Sequence, residues 1–262
     1  NDGTQMSDGY AWAKNVFSIG GVFHGDDANP ANDQWNGGAS IGPASDGRIK
    51  PTLCAYYDWI GTSDLTGGAG YSGTNWTADF NGTSGAAPIV GGHNVIGTPH
   101  QNRPHFTTLK ALMVTAARQY SFTPTSTDLR REHQGWGFPN LEDLWNNRAK
   151  TFLVDETSVL QQGGVDSYQI TVGANEPELK ISLNWNEPAA NPSAAADLVN
   201  NLSLRVLSPN GTEYWGNVGL EDGPWSVAGG SEDTINSIEN VFILNPAAGN
   251  WYVQVMATSI VV

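Results

Sequence analysis

The chain is poor in several features that particular classes of protein require. Its one cysteine, Cys54, excludes an intrachain disulfide, and we expect it to be a small buried residue. No apolar run approaches the roughly 20 residues that a membrane-spanning helix needs. Only 12 Lys and Arg oppose 26 Asp and Glu, and the resulting net charge of -14 would repel nucleic acid and anionic lipid. We therefore expect neither nucleic acid nor a membrane as a partner.

The remaining composition is that of a folded protein rich in loops. Glycine and tryptophan are frequent, with 31 Gly and 10 Trp, while 15% of the residues are charged, which is too few for a disordered chain. Scarce lysine and an acidic surface are typical of proteins that stay soluble outside cells. We expect a secreted, extracellular protein.

The first part of the chain, residues 1–148, mixes strand-like runs, long loops and two helical patterns. Residues 15–22 predict a short buried strand, and residues 26–38 predict a loop. Residues 88–96 are apolar and small, as in a buried helix. Residues 109–117 predict a second helix, because Leu109, Leu112, Met113 and Ala116 recur at helical spacing. The predicted class of this part is α/β.

The spacing of apolar residues changes near residues 148–151, where we place a domain boundary. Beyond it the apolar residues alternate, which indicates strands. The alternating residues are Leu179, Ile181, Leu183 and Trp185, then Leu202, Leu204 and Val206, then Trp251, Val253 and Val255. Turn signals at 209–211 and 245–250 join strands without intervening helices. We therefore predict an all-β antiparallel sandwich, barrel or jelly-roll-like domain over residues 151–262.

One motif carries chemical information, Asn81-Gly-Thr-Ser-Gly-Ala-Ala-Pro88, which comes just before a helical pattern. A serine at a helix N-terminus lies among free backbone N–H groups and near the positive end of the helix dipole, and both stabilise a negatively charged intermediate. Small neighbours let a substrate backbone approach. The alternative for such a serine is an ordinary helix cap.

This motif resembles the nucleophile segment of the subtilase family, Gly-Thr-Ser-x-Ala-x-Pro. Three further segments are similar to the family in the same order along the chain. They are Ser40-Ile-Gly-Pro43, Asp46-Gly-Arg-Ile-Lys-Pro51, and the pair formed by residues 109–117 and Gly135-Trp-Gly137. The resemblance implies a partial subtilisin-like parallel-sheet domain over residues 1–148, with Ser84 as nucleophile.

The resemblance also gives a role to the first residue. Asn1-Asp-Gly-Thr4 is similar to the family's Gly-Asn-x-Gly segment, in which the asparagine donates to the oxyanion. Asn1 is therefore a candidate catalytic residue together with Ser84, the alternative being an exposed turn. One departure stands out. Thr52 replaces an aspartate of the family and the Pro-Gly turn after it is absent, which puts the loop geometry in doubt.

In subtilases the triad aspartate and histidine precede the oxyanion asparagine, so the chain resembles a catalytically incomplete fragment. None of its own histidines is expected to replace the missing base. They are His24, His93, His100, His105 and His133. His93 comes nearest to Ser84 in sequence, but nine residues of helix place it about 13 Å along the axis. Because a serine without a general base is a poor nucleophile, we expect the isolated chain to be inactive.

The C-terminal part resembles the β-barrel that follows the catalytic domain of certain bacterial subtilases. Its matching segments include Leu179-Lys-Ile-Ser-Leu-Asn-Trp185 and Ile238-Glu-Asn-Val-Phe-Ile243. Relatives of this module bind calcium. Oxygen-bearing side chains lie in the long loop between strands, and we regard them as calcium candidates, although solvated acidic loop residues are the alternative. The candidates are Asp222, Asp233, Asn236 and Glu239.

Two functions follow from these observations. The first is a serine endopeptidase that hydrolyses protein or peptide through an acyl-enzyme and needs no cofactor for its chemistry. The second is a non-catalytic extracellular binding module derived from a subtilase. We also expect a fragment of this kind to self-associate through the exposed edge of its parallel sheet, with Val16, Phe17, Ile19 and Val22 at the contact.

Overall fold

A computed structural model describes residues 10–35, 39–96, 103–119, 130–191, 194 and 197–261. The strands in these ranges are β1 (Ile19–Val22), β2 (Leu53–Tyr56), β3 (Ile60–Ser63), β4 (Trp76–Phe80), β5 (Val165–Val172), β6 (Glu178–Asn184), β7 (Asn201–Leu207), β8 (Glu213–Trp215), β9 (Ile238–Leu244) and β10 (Gly249–Ser259). The helices are α1 (Thr83–Ile96), α2 (Phe106–Ala116), α3 (Arg131–Gln134) and α4 (Leu141–Asn147), with a 3-10 turn at Pro30–Asn32. None of the helices in the described ranges combines the length and apolarity that crossing a bilayer requires.

Contacts divide the chain into two compact units. The first, called the N-terminal unit, comprises Asn1–Ala44, Ile49–Gly97 and Ala117–Glu142. The second, called the C-terminal unit, comprises Ser45–Arg48, Thr98–Ala116 and Asp143–Val262. The contacts thus group α2 with the C-terminal strands, and the amide of Asn184 at the end of β6 donates to the carbonyl oxygen of Thr107 at 3.0 Å. The predicted domains, 1–148 and 151–262, stay a prediction.

The centre of the N-terminal unit is a parallel strand pair. β1 pairs with β2 in a register that runs from Ile19 beside Leu53 to Val22 beside Tyr56. α1 packs on both strands. The side chains of Val22, Leu53 and Cys54 are fully buried, and Cys54 is a free thiol, as its apolar surroundings predict. Burial raises the pKa of this thiol well above its usual value, so it stays protonated.

The four residues predicted to form a self-association surface differ in their burial. Val16, Phe17 and Ile19 are half-buried, but Val22 is fully buried in a cluster with Trp35 and Phe138. Our prediction that Val22 lies at an intermolecular contact is therefore wrong. Self-association of the chain stays a prediction.

The C-terminal unit contains two antiparallel sheets. One has the strand order β5-β10-β7-β8, and the other consists of β6 and β9. Leu204, Val206, Val241, Trp251 and Val253 form a single apolar core to which both sheets contribute. The predicted alternation and both predicted turns are confirmed, since β7 and β8 flank residues 209–211 while β9 and β10 flank residues 245–248. Closure of these sheets into a sandwich stays a prediction.

The Gly135-Trp136-Gly137 segment runs backbone to backbone along β2. The N–H of Trp136 donates to the carbonyl oxygen of Thr52 at 2.9 Å, and the N–H of Cys54 donates to that of Gly137 at 3.1 Å. Both glycines have positive φ, +60° and +114°. A Cβ added at Gly137 would lie 2.2 Å from the carbonyl oxygen of Arg118, so only glycine fits.

We predict that Gly137→Ala lowers the free energy of unfolding by about 2 kcal/mol or more, because the added methyl group meets rigid backbone at an unfavourable φ. Urea unfolding followed by tryptophan fluorescence measures the change. Gly92→Ala is the matched control. A Cβ at Gly92 meets nothing within 4 Å in α1, and the change should raise stability by up to about 1 kcal/mol. Equal effects of the two substitutions would contradict the argument.

Candidate active site

Ser84 occupies the first turn of α1 with its side chain exposed. Its own N–H is among the first four of the helix, which have no helical acceptor and point out of the N-terminus. Pro88, four residues later, has no N–H to donate to the carbonyl oxygen of Ser84. Among the described residues nothing is hydrogen-bonded to the Ser84 hydroxyl. The side chain is therefore accessible and beside free backbone donors.

The loop before Ser84 is tied to the end of β2 by two hydrogen bonds. The N–H of Gly82 donates to the carbonyl oxygen of Tyr57 at 2.6 Å. The N–H of Trp59 donates to Oδ1 of Asn81 at 3.1 Å, while Nδ2 of Asn81 donates to the carbonyl oxygen of Asp79 at 2.6 Å. Gly82 has a φ of +94°, which glycine adopts without strain. The position of the serine is thus set by residues 57–59.

A buried carboxylate holds residues 57–59 in turn. Oδ1 of Asp58 accepts from the backbone N–H of His24 at 2.9 Å and lies 2.8 Å from Nδ1 of the same residue. Oδ2 accepts from the N–H of Gly25 at 2.8 Å. The Tyr56 ring stacks on the His24 ring, with centroids 4.5 Å apart. The pair formed by Asp58 and His24 connects the ends of β1 and β2. It lies directly beside Tyr57, whose carbonyl oxygen accepts from Gly82.

Sequence reasoning missed this pair and treated His24 as an ordinary loop residue. A signal was present nevertheless. His24 follows the end of β1 by two residues, and Asp58 follows the end of β2 by two. In a parallel pair whose ends are in register, residues at equal distances beyond the strands emerge at the same edge. The register itself, however, could not be derived from the sequence.

The small residues of the motif have packing roles. Ala86 and Val90 are buried within α1. A Cβ at Gly85 would lie 2.3 Å from Cδ1 of Ile60 and 3.2 Å from the Phe80 ring. Ile60 and Phe80 are opposite each other in the antiparallel pair of β3 and β4. Close packing of this hairpin on the start of α1 therefore requires a small residue after Ser84.

The other predicted site residues are dispersed. Asn1 and His100 lie outside the described residues. Nδ1 of His93 is 2.7 Å from the carbonyl oxygen of Ile89 within α1. His133 is buried and stacks on Trp35, and His105 in the C-terminal unit pairs with Asp155. The structure therefore brings none of the described histidines into a hydrogen bond with Ser84.

The departure at Thr52 is accommodated by Ser18, and both side chains are buried. The N–H of Thr52 donates to Oγ of Ser18 at 3.1 Å, and the N–H of Ser18 donates to Oγ1 of Thr52 at 3.3 Å. The hydroxyl oxygen of each residue thus accepts a hydrogen bond from the backbone N–H of the other, and no carboxylate is needed.

The four calcium candidates differ in their exposure and in their hydrogen bonds. Asp222 is exposed, whereas Asp233 accepts hydrogen bonds from Asn217, Ile235 and Asn236 at 2.6 to 3.0 Å. Within the described ranges no three His, Cys, Asp or Glu side chains are grouped as a metal site would require. Calcium binding by these residues stays a prediction.

Glu239 is the exceptional member of that set. It is fully buried in β9, its Oε2 accepts from the N–H of Leu204 at 2.7 Å, and its Oε1 has no partner in the described structure. Burial, together with the neighbouring carboxylates of Asp233 and Glu232, raises the pKa of Glu239 well above its usual value. The side chain needs either a proton or a cation at Oε1.

Comparison with protein families matches residues 1–137 to the one described as the Subtilase family. Two curated proteins of Dictyostelium discoideum are also similar. The serine protease/ABC transporter B family protein tagA is 25% identical over 270 residues, which cover 86% of this chain and 14% of that protein. The corresponding protein tagB is 24% identical over 293 residues, which cover 85% of this chain and 15% of that protein.

These relatives are serine proteases by name, and their alignments cover more of the chain than the family match does. The chain itself spans only 14% and 15% of their lengths. The family match covers more than half of the chain and includes the loop, the exposed serine and the strand pair described above. The chain belongs to the subtilase family of serine proteases.

Proposed function

We propose that the protein carrying this chain is a subtilisin-like serine endopeptidase in which Ser84 is the acyl-forming nucleophile. The observation that carries the proposal is the exposed hydroxyl of Ser84 in the first turn of α1, on a loop anchored at Asn81 and Gly82. This loop lies within the segment that matches the family. The substrate class is protein or peptide.

The reaction follows from the position of the serine. Oγ of Ser84 attacks the carbonyl carbon of a peptide bond while a histidine accepts its proton, and the carbonyl oxygen becomes an oxyanion. The N–H of Ser84 and the amide of Asn1 are the proposed donors to that oxyanion. Collapse of the intermediate releases the amine, which takes the proton, and water then hydrolyses the acyl-enzyme.

The catalytic histidine and its aspartate come, in this proposal, from outside the 262 residues. His24 is held by Asp58, His93 faces its own helix, and His133 is buried against Trp35. The isolated chain is therefore an incomplete peptidase and inactive by itself. The alternative, a non-catalytic extracellular binding module, stays open.

The proposed setting is extracellular. The net charge of -14 supports a soluble exoprotein that acts on polypeptides rather than on nucleic acid or membrane surfaces. Calcium is proposed only as a structural ion, and no cofactor is assigned to the chemistry.

We predict that a fluorophosphonate probe labels Ser84 in the full-length protein, because the probe phosphonylates only an activated serine. Peptide mapping by mass spectrometry identifies the labelled residue. Ser84→Ala should lose both the label and casein hydrolysis. The isolated 262-residue chain should remain unlabelled.

Ser63→Ala, at an exposed serine of β3, is the matched control and should keep full labelling. Labelling of a serine other than Ser84 would contradict the assignment of the nucleophile. Labelling of Ser84 in the isolated chain would show instead that the chain supplies its own base.

Asp58 is expected to position the nucleophile. We predict that Asp58→Asn lowers kcat roughly ten- to a hundredfold with a smaller change in KM, because the amide NH2 that replaces Oδ2 cannot accept from the N–H of Gly25 and the serine shifts. Asp58→Glu should recover part of the rate. Asp27→Asn, a nearby exposed carboxylate that accepts from Asn29 and Asn32, is the control and should leave kcat unchanged. A lower melting temperature with normal kcat would reduce Asp58 to a structural role.

Glu239 makes stability depend on pH. Because its folded pKa is raised, its proton stabilises the folded state below the unfolded value of about 4.5, and this stability is lost as pH rises through the folded pKa. We predict that Glu239→Gln, which keeps the oxygen facing Leu204, removes this loss in melting curves measured across that range. The control is Glu221→Gln, at an exposed glutamate.

The effect of added calcium on the melting temperature shows whether a proton or a cation is bound at Oε1 of Glu239. With a proton at Oε1, added calcium should change the melting temperature of the wild type and of Glu239→Gln by the same small amount. Stabilisation of the wild type alone by calcium, reversed by a chelator, would show that Oε1 is a cation ligand and would overturn the protonation argument.

A further inference from the structure

The hairpin of β3 and β4 carries an exposed apolar surface next to the loop before Ser84, which contains Asn81 and Gly82 and is called the nucleophile loop. Its members are Trp59, Leu65, Tyr71 and Trp76, which are 48 to 65% exposed. We call these four residues the hairpin surface. Among the described residues of the N-terminal unit, only Tyr10 and Val95 are other large apolar side chains as exposed as these. Apolar surface concentrated in this way marks a binding region more often than chance exposure does.

The hairpin surface is fixed close to Ser84. Ile60 and Phe80 pack on Gly85, the residue after the nucleophile. The backbone of Trp59 is bonded to Asn81, three residues before the nucleophile. A polypeptide whose carbonyl carbon lies at Ser84 therefore extends within a few residues of this surface, since an extended chain advances about 3.3 Å per residue.

The tryptophan rings of this surface are available to a ligand. The Trp76 ring lies over Gly61, where an added Cβ would be 3.5 Å from Cζ2. In the described structure neither Trp59 nor Trp76 stacks on another ring or on a cationic side chain. A Cβ at this distance would be in ordinary van der Waals contact with the ring.

The formally charged residues of the segment that carries these rings are all acidic. No lysine or arginine occurs between Lys50 and Arg103, whereas Asp58, Asp64 and Asp79 do. Asp58 is occupied by His24 and Gly25, and Asp64 accepts from the N–H groups of Leu65 and Ser72.

Asp79 differs from these two aspartates. It is exposed in β4, and its carboxylate has no hydrogen-bond or ion-pair partner in the described structure. A free carboxylate therefore lies on the same hairpin as two open indole rings.

We propose that the hairpin surface, with Asp79, binds a lysine or arginine side chain of the polypeptide substrate and so sets a specificity for cationic residues near the scissile bond. A cation over an indole face is attracted by the ring quadrupole, and a carboxylate adds a charge-assisted hydrogen bond. An acidic side chain would be repelled by Asp79 and by the net negative charge of the chain. This inference deepens the proposed peptidase function and rests on it.

The test uses Ser84→Ala full-length protein, so that binding is measured without cleavage. Peptides of one sequence carry lysine, norleucine, glutamine or glutamate at each position in turn, and fluorescence anisotropy gives their Kd. We expect lysine, at one or two adjacent positions, to bind about three- to tenfold more tightly than norleucine. Asp79→Asn and Trp76→Ala, each added to Ser84→Ala, should remove most of this preference while norleucine peptides bind nearly as before.

Two controls keep the test specific. Asp27→Asn removes an exposed carboxylate away from the hairpin, and Trp145→Ala removes an exposed tryptophan of the C-terminal unit whose ring is covered by Arg148. Both should preserve the lysine preference. Circular dichroism of each variant, compared with the parent, detects a misfolded hairpin. If Trp76→Ala is misfolded, Asp79→Asn at the surface still tests the proposal.

The outcomes separate the two proposals. A lysine preference that survives Asp79→Asn and Trp76→Ala, or no preference at any position, overturns the hairpin surface as a cation site even if the wild type cleaves peptides. Loss of the preference in both variants supports it. Absence of cleavage and probe labelling in the wild type would defeat the peptidase proposal, while the binding result would still decide whether this surface holds a cationic side chain.

Discussion

The backbone hydrogen bonds between β1 and β2 hold Val22 beside Tyr56, and the residues that follow both strands take their positions from that register. His24 and Asp58 meet because each lies two residues beyond its strand. Asp58 then holds residues 57–59, and the carbonyl oxygen of Tyr57 accepts from Gly82 in the nucleophile loop. A shift of one residue in the register would separate the aspartate from the histidine and move the anchor of the loop. The exposed serine thus depends on a strand pair whose sequence contains no catalytic residue.

Glycine is required at two positions around this strand pair, because backbone and side chains of neighbouring elements approach closely there. Gly85 admits Ile60 and Phe80 against α1, and Gly137 lets its own segment pass the carbonyl oxygen of Arg118. Gly85 lets the hairpin pack beside the loop before Ser84. Gly137 lets its segment run beside β2. The hairpin that packs through Ile60 and Phe80 consequently presents Trp59 and Trp76 to solvent near Ser84. The hairpin thus packs through Ile60 and Phe80 while the Trp76 ring stays exposed.

Buried polar groups illustrate how the two units satisfy hydrogen bonds differently. In the N-terminal unit Thr52 and Ser18 exchange hydrogen bonds through their hydroxyl and backbone groups, so this buried contact contains no charge. In the C-terminal unit Glu239 keeps its carboxyl group in the core with one oxygen unpartnered. An ionised carboxylate in such a place carries a large desolvation cost, which explains the direction of its pKa change. Gly216 is confined by the same side chain, since an added Cβ would lie 2.1 Å from Oε2.

The sequence by itself determined the family, the helix around Leu112 and Met113, the alternating C-terminal strands and the serine at the start of a helix, because these follow from local periodicity and a contiguous motif. It could not determine the pairing of His24 with Asp58, the burial of Val22, the partner of Thr52 or the complete burial of Glu239. The two pairings join residues 34 positions apart, and burial depends on which face of a strand is covered. Strand register and burial are properties of the packed chain, since hydrogen bonds between distant backbone segments and the exclusion of water are established only when the elements meet.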